Sequence, residues 1–94
     1  MAKPVDEVAQ QRRLSKLATY AERKRSPCVD CGGTFHQVAM HFDHVRGVKK
    51  ANPSSYAYDY GSVDRMLSEL DKCEIVCANC HAVRTYNRRW APDE

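Results

Sequence analysis

The sequence carries Cys-x-x-Cys twice, as Cys28-Val29-Asp30-Cys31 and Cys77-Ala78-Asn79-Cys80, with residues 32–76 between the pairs. Each two-residue spacer lets both sulfurs reach one ion, and four thiolates around one centre are the ligand set of a structural Zn²⁺ site. A chain of 94 residues buries a smaller fraction of its surface than a larger one and gains most from such a staple. Two redox motifs or a pair of disulfides would use the same residues. The odd total of five cysteines and the reducing compartment expected below favour the metal. Cys73, the fifth, reads as a small buried apolar residue or as an alternative ligand. A closed four-thiolate shell has no open position, so this zinc is expected to hold the fold and do no chemistry.

No apolar run approaches bilayer length, and the first ten residues, MAKPVDEVAQ, contain no apolar stretch of signal-peptide type. The expectation is a cytoplasmic protein without membrane insertion or secretion. The net charge is only +3, but the positive charge is clustered. Arg12, Arg13, Lys16, Arg23, Lys24 and Arg25 are opposed by Glu22 alone, and Arg84, Arg88 and Arg89 follow near the other end. Clustered charge of this kind points to a polyanionic partner.

Pro4, Asp6 and Glu7 suit a helix start, and Val5, Val8, Ala9, Leu17, Ala18 and Ala21 recur at helical spacing, so residues 5–24 read as one basic amphipathic helix. Ser26-Pro27 ends it. Val38, Met40 and Phe42 alternate with Gln37, Ala39 and His41, as in a half-buried strand over residues 37–42. If that strand runs on, His44 points into the core beside Phe42; a bend, favoured by Gly47, frees it. Residues 47–61 are rich in turn formers and read as a connection, with an extended piece at Tyr56, Tyr58 and Tyr60. Those tyrosines are expected to cover apolar surface rather than stack on bases. Ser62 caps a helix bearing Val63, Met66, Leu67 and Leu70, and Glu74–Val76 forms a second strand. In the last helix Val83, Tyr86 and Trp90 share one face and His81, Arg84, Thr85 and Arg88 another.

The zinc would pin the strand-bearing half of the chain to the start of the last helix, bringing Asp43, His44 and His81 together. The ordered set of CVDC, the Phe42-Asp43-His44 run and LDKCEIVCANCHAVRT from Leu70 to Thr85 resembles the HNH endonuclease family over about residues 28–85. The resemblance implies a small α+β fold, a zinc-stabilised ββα-metal core with an N-terminal basic helix and an inserted helix. The basic helix would be residues 1–26 and the nuclease domain residues 27–94. It implies that Asp43 and His81 hold one catalytic divalent metal, Mg²⁺ or another, and that His44 is the general base of phosphodiester hydrolysis. The family's middle asparagine, which helps fix the loop between the strands, is replaced here by Lys72. DNA is the expected partner, cut with little sequence preference and held by the six basic residues of the first helix and Arg88. The resemblance also implies a bacterial or phage-infected host cell and partners in phage DNA processing or packaging.

Arg84, one turn beyond His81, reads either as a clamp on the scissile phosphate or as a solvated helix arginine. His41 shares the Asp43 face and reads as a polar strand residue, or as a contact to substrate or metal. Two rival functions use the same residues: a zinc-ribbon module that binds nucleic acid without cutting it, and a zinc-stabilised domain that docks on an acidic protein. Retention of both the Asp43-His44 and Cys80-His81 dipeptides speaks for the nuclease.

Overall fold

A computed structural model describes residues 7–90, so Pro4, Val5 and Asp6 of the first helix lie outside the described residues. The fold is α+β. Helix α1 (Glu7–Arg23) is followed by strand β1 (Met40–His44), the short helix α2 (Pro53–Tyr58), helix α3 (Val63–Leu70), strand β2 (Cys73–Cys77) and helix α4 (Ala78–Trp90). The two strands pair antiparallel, with Met40 opposite Cys77 and His44 opposite Cys73. Side chains alternate across a strand, so Met40, Phe42 and His44 leave one face of the sheet while His41 and Asp43 leave the other.

The first face meets α1 and α3. Phe42 lies 5.2 Å from the Tyr20 ring and packs against the buried cluster of Ala57, Met66 and Leu70. α4 covers the second face, where Arg84 reaches Asp43 and Glu74. A second cluster, Cys28, Met40, Val76 and Cys77, closes the end of the sheet next to the cysteine pairs.

α3 starts as its sequence predicts, with the Ser62 hydroxyl accepting the Arg65 N–H at 3.3 Å. Other boundaries differ for identifiable reasons. The strand begins at Met40 because β2 ends opposite it, and residues 37–39 instead form a 3₁₀ turn. His36 holds that turn by accepting the Val38 N–H on Nδ1 at 3.1 Å. β1 does not bend at His44, which pairs regularly with Cys73; the turn comes at Gly47, whose φ of +70° favours glycine. Residues 53–58 are helical rather than extended. Pro53 opens this turn, and burial of Ala57 against α3 outweighs the turn-rich composition. α4 begins inside the second cysteine pair, not at His81.

α1 buries only part of the stripe its apolar residues mark, Leu17 packing against the Ala57, Met66 and Leu70 cluster, and it buries a cation beside it. Val8 is 66% exposed whereas Lys16 is fully buried. Lys16 Nζ donates to the Tyr56 carbonyl at 2.6 Å and to Asp59 Oδ1 at 2.5 Å. Arg12 and Arg13 add donations to the carbonyls of Tyr60 and Tyr58 at 3.0 and 2.9 Å. Lys16 therefore cannot serve as a phosphate contact, and Arg12 and Arg13 help dock α1 on the segment before α3.

Breaking a buried pair leaves desolvated groups without a partner. Lys16→Ala should lower stability by about 3 kcal/mol, near the lower end for buried ion pairs because Asp59 keeps Arg65. Urea unfolding of zinc-loaded protein measures it, and Lys16→Met, which retains the buried stem, should cost less.

Candidate functional site

The first cysteine pair sits in a tight loop closed by Cys28 N–H to the Gly33 carbonyl and Gly32 N–H to the Cys28 carbonyl, both 2.8 Å. Gly32 takes φ +75° there, a conformation that only glycine adopts freely. Val29 N–H donates to the Ile75 carbonyl at 3.0 Å, seating the loop on β2. The sulfurs of Cys28, Cys31, Cys77 and Cys80 then lie within 4.8 Å of one another. Cys31 Sγ and Cys77 Sγ are 4.0 Å apart, close to the ~3.8 Å separation that tetrahedral Zn–S bonds of about 2.3 Å impose. The four cysteines thus fit a structural zinc.

Backbone N–H groups also point at the sulfurs, from Cys77 to Cys28 Sγ at 3.3 Å and from Cys80 to Cys77 Sγ at 3.5 Å. Burial pushes the Cys28 thiol up, but the N–H groups of Cys31, Cys77 and Asp30 outweigh it and bring it to about 6, which favours the ligating thiolate. Cys73 is different. Burial and then the negative charges of Glu69 and Asp43 push it up to about 11, and its Sγ–H donates to the Glu69 carbonyl at 3.5 Å. It stands outside the four-sulfur group.

On the α4 face of the sheet, Asp43 is buried and surrounded by donors. Arg88 donates to both carboxylate oxygens at 2.9 and 2.7 Å, Arg84 donates to Oδ2 at 2.9 Å, and His81 Nε2 lies 3.6 Å from Oδ1. The Arg88 hydrogen bonds, aided by Arg84 and opposed by burial, hold the carboxyl down at about 2. Arg84 is itself fixed by Asp30 of the cysteine loop at 2.6 and 2.7 Å and by Glu74 at 2.9 Å. It is neither a free clamp nor a solvated arginine. His41 projects beside this group, its Nδ1 2.9 Å from Nδ1 of His81 with the rings edge to face. Burial first, then the neighbouring His81 and Lys24, lower the His41 pKa and keep its ring neutral.

His44 does not join them. Because β1 stays regular, its side chain leaves the opposite face, and Nε2 meets Glu69 Oε2 at 2.7 Å. The meeting of Asp43, His44 and His81 expected from the sequence is therefore reduced to Asp43 with His81. Glu69, buried on α3, also accepts from Lys72 Nζ at 3.0 Å and from the Lys50 N–H at 3.1 Å. Burial alone raises its carboxyl, yet the donors from Lys72, His44 and Lys50 hold it at about 2. Lys72 Nζ further donates to the Val48 carbonyl at 2.7 Å, and the Lys72 carbonyl accepts from the N–H groups of Val45 and Arg46. It pins the segment that leaves β1.

Sequence reasoning missed Glu69, although it lies one helical turn from both Met66 and Lys72. Of the residues assigned to DNA, Arg12, Arg13, Lys16 and Arg88 make internal contacts, Lys24 lies over the Tyr20 ring at 4.8 Å, and Arg25 pairs with Glu22. Arg23 is exposed. Among the described residues no helix is long and apolar enough to cross a membrane. Comparison with protein-family models, with curated proteins and with solved structures finds no match to this chain.

The thiolate geometry sets the expected metal content. The purified chain should carry one zinc, retained in Cys73→Ser and lost, together with cooperative unfolding, in the double variant Cys28→Ser with Cys77→Ser. Elemental analysis and thermal melts before and after a strong chelator check both.

Proposed function

We propose that the chain is a metal-dependent DNA endonuclease of the HNH type, in which β1, β2 and α4 form the ββα-metal core. The observation that carries this reading is the meeting of Asp43 with His81, Oδ1 to Nε2 3.6 Å, at the junction that the cysteine cluster organises. One carboxylate and one imidazole suit a divalent cation and leave its other positions open. When bound, that cation supplies stabilisation of negative charge on the phosphate and on the departing 3′ oxygen.

The chain's own residues support these roles. Neutral His41 can accept the Nδ1–H of His81, which fixes the tautomer whose Nε2 lone pair faces Asp43. On the other face, Glu69 is an acceptor, so His44 Nε2 carries the proton and Nδ1 is the basic nitrogen. In hydrolysis a water gives its proton to that nitrogen as its oxygen bonds phosphorus, and the bond from phosphorus to the 3′ oxygen breaks. The phosphodiester would lie across the end of β1, from which consecutive residues Asp43 and His44 address it from two sides.

One observation favours the non-cutting zinc-ribbon reading: both oxygens of Asp43 are already occupied by guanidinium groups. Arg88, half-exposed and bound only to Asp43 among the described residues, is the partner that a cation displaces, whereas Arg84 keeps Asp30 and Glu74.

Plasmid cleavage with Mg²⁺, Mn²⁺ or EDTA decides between the two. His44→Ala should cut about two to four orders of magnitude more slowly while still binding metal and DNA. His81→Ala should lose both the catalytic cation and cleavage, and both variants should keep the structural zinc. His41→Ala should weaken the catalytic cation by about 10- to 100-fold, as loss of an orienting partner does. Wild-type protein that binds DNA but fails to cut it with any divalent metal would establish the zinc-ribbon reading instead.

A further inference from the structure

α4 carries a second feature that the hydrolytic roles leave unused. Its outer side forms an open groove of about 380 Å³ whose inner end is the His41 and His81 pair and whose outer end is Tyr86, Arg89 and Trp90. Tyr86 is 59% and Trp90 71% exposed, so these rings do not serve the core. Ala82 and Thr85 stand between the two ends along α4, with Ala78 one turn before His81, and these small side chains leave room for a flat ring. Among the described residues no carboxylate lines the groove and Arg89 has no ion-pair partner.

Two exposed aromatic faces, an uncommitted guanidinium and an inner end at the Asp43 cluster together describe a ligand that is planar, anionic and continuous with the phosphodiester. A paired duplex does not present base faces, because its bases stack on one another. An unpaired nucleotide does, and aromatic platforms beside cationic groups are how proteins hold single strands. Resting on the nuclease reading above, we propose that this groove is a stacking subsite for an unpaired nucleotide flanking the scissile phosphate. The chain then prefers single-stranded DNA, or the single strand at a duplex junction, over intact duplex.

Trp90 is the one tryptophan in the sequence, so its fluorescence reports on this groove alone. The zinc-loaded full chain is titrated, without added divalent metal, with a 12-nucleotide DNA strand and with the blunt duplex of the same sequence. Anisotropy of labelled DNA gives occupancy in parallel. Trp90 emission should be quenched by the single strand and left nearly unchanged by the duplex at equal occupancy. Trp90→Ala and Tyr86→Ala should each weaken single-strand binding roughly five- to hundredfold and leave duplex binding and zinc content unchanged. Trp90→Phe, which keeps a ring, should restore most of the loss. The salt dependence separates stacking from charge: Trp90→Ala should keep the wild-type slope, whereas Arg89→Gln should reduce it by about 0.7.

Unchanged Trp90 emission at saturation with the single strand overturns the subsite while leaving the nuclease reading intact. Equal losses for single strand and duplex in Trp90→Ala overturn it in the same way, as does a change in oligomeric state on Trp90→Ala without any effect on DNA. Failure of both DNA forms to bind in anisotropy overturns the DNA reading and the subsite together.

Discussion

Everything in this fold hangs from the convergence of four sulfurs at one end of a two-stranded sheet. The sheet is too small to define a core by itself; its buried residues at that end are Met40, Val76 and two of the cysteines. The cysteine loop is fixed on β2 by Val29 and at the start of α4 by the shared sulfurs. Asp30, inside that loop, grips Arg84, and Arg84 in turn grips Asp43 and Glu74. The position of the Asp43 cluster is thus inherited from the thiolates through one arginine. A metal held by those sulfurs would set the geometry where chemistry is proposed without taking part in it.

The second organising element is a small number of buried charges, each with its partners. Lys16, Asp43 and Glu69 are all nearly inaccessible, and no buried side-chain nitrogen or oxygen among the described residues lacks a hydrogen bond. Such groups add little net stability compared with apolar residues of the same size, but they are intolerant of misplacement. Lys16 matches two acceptors around the end of α2, the Tyr56 carbonyl and Asp59, only at one rotation of α1. Glu69 similarly joins α3, the end of β1 and the segment after it through His44, Lys72 and Lys50. Specificity of arrangement, more than depth of burial, is what these pairs contribute.

The sequence made the cysteine pairs, α3 and the last helix legible because each rests on local rules: a two-residue ligand spacing, a serine cap, a helical stripe. It also put Asp43 beside His81, since a cross-link at Cys77 and Cys80 leaves their neighbours few places to go. What it hid is tertiary. Lys16 and Arg13 look like surface cations until acceptors some forty positions away are brought to them. Residues 53–58 lack any helical period and become helical because Ala57 finds a site against Met66 and Leu70. Glu69 is an ordinary helix glutamate by pattern, and only the fold places His44 over it.

The alternation of β1 has a further consequence for the proposed site. Asp43 and His44 are neighbours in sequence, yet the sheet divides them between two charge networks, one centred on α4 and one on α3. Asp43 is controlled by Arg84, Arg88 and His81, while His44 is controlled by Glu69 and, through it, by Lys72. Among the described residues no hydrogen bond or ion pair joins the two networks directly, so the proposed cation-holding and proton-accepting roles rest on separate partners. Lys72 illustrates this. It carries a positive charge, pins the Val48 carbonyl and holds Glu69 ionised beside His44. Lys72 thereby fixes the loop after β1 and, through Glu69, the orientation of His44 without adding a cation next to Asp43.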